Sequence, residues 1–185
     1  TRPMIGYISL ESVAAYQIDH GGNTDYNSYQ AGSTVHIRAQ KDGGLFTLTD
    51  VHARMGDGEL TGTGVEIDSA ITLKVDRSEG FPCSSPVVEK TRQVEPTEEW
   101  LTSGRGANWE EALKVAWSDM VALIAQCYDT TAEYANLIVG TIGDARPGYA
   151  AGTLNQRGHP LPSAYVTCQL AITKQLRRTG KPYRP

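Results

Sequence analysis

The sequence predicts an α+β protein: an antiparallel β-rich N-terminal part, then a helical pair, then a returning strand, all in one domain spanning residues 1–185. Three observations predict it. Ten of the 19 glycines lie in the first 66 residues, where an ordinary chain carries roughly 7% glycine. Short β-branched or aromatic segments separate those glycines. At Asn108 the apolar period lengthens from two residues to three and four.

The strands come first. "MIGYISL", "STVHIRA", "LFTLTDVHA", "ELTGTGVEI" and "AITLKVD" are each bounded by glycine, asparagine or aspartate. In the last of these Ile71, Leu73 and Val75 alternate with Thr72, Lys74 and Asp76, the pattern of a strand with one wet face. Antiparallel strands are therefore expected over residues 4–90. Between 78 and 107 the signal weakens, because Pro82, Pro86 and Pro96 oppose long regular elements, although "PVVEKTRQV" fits an edge strand. From Asn108 the residues Trp109, Leu113, Ala116, Met120, Leu123 and Cys127 form a helical stripe, with Asn108 and Glu111 as an N-cap pair. Thr130 with Glu133 repeats the capping pattern before "AEYANLIVG", a second helix ending near Gly140 or Gly143. An irregular stretch, "GDARPGYAAGTLNQRGHPLP", then leads to the closing strand "AYVTCQLAIT" at 164–173.

Bulk properties exclude several classes of partner. The net charge of -4 gives no field suited to nucleic acid, and the scattered basic residues of the tail are a weak footprint for it. No apolar run approaches the roughly 18 residues of a membrane span. Cys83, Cys127 and Cys168 are odd in number and far apart, which fits neither a disulfide framework nor a zinc ribbon and makes a reducing, cytoplasmic setting the expectation. The first residue is Thr1, as removal of an initiator methionine or cleavage of a precursor would leave it.

Two polar clusters interrupt the strands. "DVHARMGDGE" gathers Asp50, His52, Asp57 and Glu59 around Gly56 and Gly58, and "DHGGNTD" gathers Asp19, His20, Asn23 and Asp25 around Gly21 and Gly22. Each alone reads as well as a polar turn, since glycine, asparagine and aspartate are ordinary turn formers. Together they place two histidines among carboxylates, a donor set suited to a borderline divalent metal such as zinc. His36, within "STVHIRA", is expected to be a satisfied strand histidine.

The stretches "RPMIGYI", "HGGNTD", "GSTVHI", "LFTLTDVHARMGDGELTGTGVE" and "ITLKVD" resemble, in order and spacing, the C-terminal half of the acetamidase/formamidase family. The core pattern D-x-H-A-x-x-G-D-G-E followed by G-T-x-x-E is present, with Glu66 in the last place. "LESVAAYQIDHGGN" departs from the family's usual approach to the histidine, and the β-rich region that precedes "RPMIG" in family members is absent from this sequence.

The resemblance implies hydrolysis of the carbon–nitrogen bond of small linear or cyclic amides. It implies a divalent cation, zinc foremost, held by His20, Asp50 and His52, with Glu59 as general base and Asp57 orienting a histidine or joining the shell. Asn23, Asp25 and Glu66 are then expected to be substrate-binding. It further implies an oligomer with a companion N-terminal chain or domain. Two alternatives stand beside it: an N-terminal nucleophile hydrolase using Thr1 after cleavage, and a non-catalytic subunit that completes a partner chain.

Overall fold

A computed structural model describes residues 2–10, 21–77, 80–91, 98–150 and 165–175. Thr1 and His20 lie outside these residues. The expected α+β architecture is present, in three layers. Strands β1 (Met4–Ser9), β2 (Gly21–Asn23), β4 (Thr47–Arg54) and β5 (Val65–Glu66) form one sheet in the order β2-β1-β4-β5. Strands β3 (Thr34–His36), β6 (Val87–Thr91), β7 (Glu98–Gly106), β8 (Asp144–Pro147) and β9 (Val166–Thr173) form a second in the order β3-β6-β7-β9-β8. Every ladder is antiparallel. Helices α1 (Trp109–Cys127) and α2 (Ala132–Ile142) cover the outer face of the second sheet.

The second sheet is buried on both sides, which explains its continuous apolar runs. Trp100, Leu170 and Ile172 pack with Ala112, Ala116, Met120, Leu123 and Val139 of the helices. Their neighbours Leu101 and Ala171 pack the other way, against Ile8, Tyr26 and Tyr29. Period two sends successive side chains to opposite faces, so in a middle layer consecutive side chains are buried alike, the polar Thr102, Ser103, Thr167 and Gln169 among them.

Strand β7, not foreseen from the sequence, is central to that layer. Its small residues are fitted to the helix above. A Cβ on Gly104 would lie 1.9 Å from the Ala112 carbonyl oxygen, and one on Gly106 would lie 2.6 Å from the Ala112 nitrogen. Strand β8 arises where an irregular stretch was expected, and β6 is interior, between β3 and β7, where an edge was expected.

The segment "AITLKVD" corrects another expectation. Residues 68–77 form no strand, and Val65, Ile67, Ile71, Leu73 and Val75 are all exposed, Val75 to 83%. Alternation marked a segment able to bury one face, but within the described chain nothing covers it.

The helices follow their caps. Asn108 accepts a hydrogen bond from the Glu111 amide at 2.9 Å, and Glu111 accepts one from the Ala107 amide at 2.9 Å, closing a reciprocal cap. The second helix is capped by Thr131 rather than Thr130; its hydroxyl accepts from the Tyr134 amide at 3.3 Å, and the helix ends at Gly143. His36 sits in β3 with Nε2 2.6 Å from Glu89, satisfied as expected.

Candidate active site

The described residues of the two polar clusters meet at one end of the interface between the sheets. Period two puts Asp50 and His52 on the face of β4 that also carries Leu48. Leu48 pairs with Ile8, and both pack toward Val88 and Leu101 of the second sheet. The same face therefore runs from an apolar seam into a group of acids. Asp50 stands opposite Gly6, between the ladder pairs Ile5–Val51 and Tyr7–Thr49. A Cβ on Gly6 would fall 2.5 Å from Asp25 Oδ1 and 2.5 Å from Asp50 Oδ2, so the missing side chain is the space the two carboxyls occupy.

Each acid is delivered by a different local device. Asp25 follows β2, held by the Thr24 and Asp25 amides donating to the Gly6 carbonyl at 3.1 and 3.2 Å. Glu66 is the cross-strand partner of His52 in β5. Glu59 closes the "GDG" turn, in which its amide donates to the Gly56 carbonyl at 3.1 Å. The Gly58 carbonyl in turn accepts from the Ala150 amide at 3.0 Å, tying this turn to the second sheet's loop. Gly64 lies against the imidazole; a Cβ there would be 2.6 Å from His52 Cγ.

Backbone strain concentrates on the same residues. Among the described residues four non-glycine residues adopt positive φ, and three are Asp25 (49°), Asp50 (61°) and Glu59 (44°). Such conformations cost on the order of 1 kcal/mol each and persist where the surroundings hold them, which is common at functional sites.

His52 is fully buried, and neither ring nitrogen makes a hydrogen bond. Nε2 nonetheless lies 3.1 Å from Glu66 Oε1 and 3.3 Å from Asp50 Oδ1. These are contacts of charge without hydrogen-bond alignment. Asp25 Oδ1 is likewise buried and reached by no fixed donor. Burial, with the charges of Glu59, Asp50 and Glu66 added, pushes the Asp25 carboxyl up to about 8. Glu59 is raised as well, by burial first; His52 opposes the shift, Asp50 and Glu66 add to it, and a hydrogen bond with Asp25 lowers it.

Ligand atoms of Asp25, Asp50 and His52 all lie within 4.8 Å of one another, a grouping able to hold a metal ion. Of the residues singled out from sequence, Asp50, His52, Glu59, Asp25 and Glu66 thus come together. Asp57 is exposed and accepts from Asn27 Nδ2 at 2.6 Å, apart from the three grouped ligands. Asn23 Nδ2 donates to Asp25 Oδ2 at 3.0 Å. Gly6 and Tyr165 were missed; both act by proximity between distant segments, for which a single sequence holds no signal.

The acetamidase/formamidase family profile matches residues 10–142. The chain belongs to the acetamidase/formamidase family. A formamidase of Methylophilus methylotrophus is 31% identical over 122 residues, covering 63% of this chain and 30% of that relative. An acetamidase from Bacillus halodurans superposes with a TM-score of 0.74 at 26% identity, covering 93% of this chain and 54% of its own. A recombinant predicted acetamidase/formamidase of Thermoanaerobacter tengcongensis gives 0.75 at 25%, covering 93% and 53%. The acetamidase of Yersinia enterocolitica gives 0.78 at 24% with 94% and 49% covered, a likeness of fold. The chain spans about half the length of these family structures and under a third of the formamidase.

Proposed function

We propose that this chain carries the acid and imidazole groups of a hydrolase acting on small linear or cyclic amides. A divalent cation, zinc foremost, would be held by Asp50 and His52 with Asp25, and by His20 if that residue reaches the group. The observation that carries the reading is the fully buried His52, with both nitrogens lacking hydrogen bonds, beside two carboxylates at ligand spacing. Buried polar atoms without partners are rare and costly, and a cation bound to one imidazole nitrogen and to Asp25 Oδ1 would satisfy two of them at once.

Such a cation supplies positive charge to an amide carbonyl and acidifies a water. The chain's own residues do the rest. Glu59, buried and raised, takes a proton from the attacking water at its carboxylate and returns it to the departing nitrogen. The water oxygen bonds to the carbonyl carbon, the carbon–nitrogen bond breaks, and a carboxylic acid leaves with ammonia or an amine. Burial and the neighbouring acids raise the Asp25 carboxyl, and a cation held beside it would favour its charged form. Glu66, more than half exposed, stands at the mouth beside the imidazole, suited to a substrate N–H.

A companion polypeptide belongs to the same proposal. The exposed apolar alternation from Val65 to Val75 favours it, because an uncovered row of this length usually marks an interface. The N-terminal region that family members carry is the occupant of choice.

The test is ammonia release from formamide and acetamide by the zinc-loaded chain, alone and with that companion region, beside elemental analysis of the purified protein. Hydrolysis that His52→Ala abolishes is expected. No ammonia under either condition, or full activity in His52→Ala, overturns the proposal.

A further inference from the structure

The geometry points to Tyr165 as a positioning residue for the Asp25 carboxylate, acting through Asn23, so that its hydroxyl sets the affinity of the site for a cation. The inference rests on the cation reading above but not on the amide reaction. Tyr165 lies 142 residues from Asn23 in the chain, at the foot of β9, yet their polar atoms meet twice. The Tyr165 hydroxyl donates to the Asn23 carbonyl at 3.2 Å, and Asn23 Nδ2 reaches the same hydroxyl at 3.3 Å. The other hydrogen of that amide nitrogen goes to Asp25 Oδ2 at 3.0 Å. One side-chain amide therefore has both donors committed, one to the tyrosine and one to the acid.

The arrangement leaves Asp25 with one oxygen held and one free for a ligand. Oδ2 is occupied by Asn23, while Oδ1 is buried without a fixed donor. Hydrogen bonds from neighbouring groups orient metal-ligating side chains, and their loss typically costs about 10- to 100-fold in metal affinity. Asp25 itself sits at φ 49°, an uncommon backbone conformation that persists where the surroundings hold it.

Tyr165 is itself anchored. The Arg105 guanidinium stacks 3.4 Å from the centre of its ring, and the Tyr149 ring lies 5.1 Å away. The neighbouring Thr167 hydroxyl donates to the Thr24 carbonyl at 2.8 Å, and the Tyr149 amide donates to that carbonyl at 3.2 Å. Residues 23–25 are thus clamped to the second sheet, and the tyrosine hydroxyl passes that rigidity to a carboxylate on the first.

The experiment titrates the full chain with zinc alone by calorimetry, for the parent, Tyr165→Phe, Asn23→Ala and the double variant. Phenylalanine keeps the ring between Arg105 and Tyr149 and removes only the hydroxyl, so melting should stay close to the parent's. Zinc affinity should fall about tenfold in each single variant. The double variant should be no weaker than the weaker single one, because both substitutions break one chain of contacts. Cobalt substituted for zinc should show an altered visible spectrum in Tyr165→Phe. Unchanged zinc affinity in Tyr165→Phe, fully additive losses, or a parent that takes up no zinc overturns the inference. Zinc binding with these losses but no ammonia release would instead sink the amide reaction and leave the positioning role standing.

Discussion

Glycine at position 6 decides what the site can be, since two carboxyl oxygens occupy the volume its side chain would fill. Gly6→Ala should abolish zinc uptake and lower stability by about 1–3 kcal/mol, the range for forcing extra volume into packed structure; calorimetry and thermal melting check both. Glu59→Gln is the complementary test. It keeps the shape and removes the base, so hydrolysis should fall by about 10²- to 10⁴-fold while zinc affinity stays near the parent's. Turnover at the parental rate would remove Glu59 from the chemistry. Part of this was legible in the sequence: Asp50 and His52, two apart on a strand, had to share a face, and the "GDG" turn delivered Glu59 beside them. Asp25's place among the grouped ligand atoms was not legible, because it depends on a turn conformation and on a glycine in another strand.

At the scale of elements, the helices were readable because their stripes and caps are local, whereas β7 was hidden by its own fit. Gly104 and Gly106 look like turn residues in sequence and are strand residues in space, chosen because α1 lies directly on them. Gly104→Ala would push a methyl into the Ala112 carbonyl, and a loss of about 3 kcal/mol or more in chemical denaturation is expected. A second element-level test concerns the ion group joining three strands, Glu89 of β6 with His36 of β3 and Lys174 just past β9. The hydrogen bond with His36 is the main cause holding the Glu89 carboxyl below its usual range, helped by Lys174 and opposed by burial. A folded value below the unfolded one contributes stability above the unfolded value, near 4.5, and loses it as pH falls through the folded one. Melting of the parent should therefore drop more steeply on acidification below about 4.5 than melting of Glu89→Gln.

For the whole molecule, the apolar row from Val65 to Val75 is the least self-sufficient part. Among the described residues no helix is long and apolar enough to cross a membrane. Leu73→Lys with Val75→Lys should abolish association with the companion region in sedimentation velocity while leaving the chain's own melting intact. Association at parental strength would assign the row another purpose. The layered build also divides the molecule by accessibility to solvent deuterons. Strands β7 and β9 lie between helices and the first sheet, so their amides should exchange last, at a rate set by opening of the entire fold. The acids hang from the outer layer, whose β5 edge is two residues long. Loading with zinc should then slow deuterium uptake in β1 and β4, whose opening releases the cation, as well as in β7 and β9, whose opening unfolds the whole chain, which would show the cation fastening a layer that the protein core leaves free to breathe.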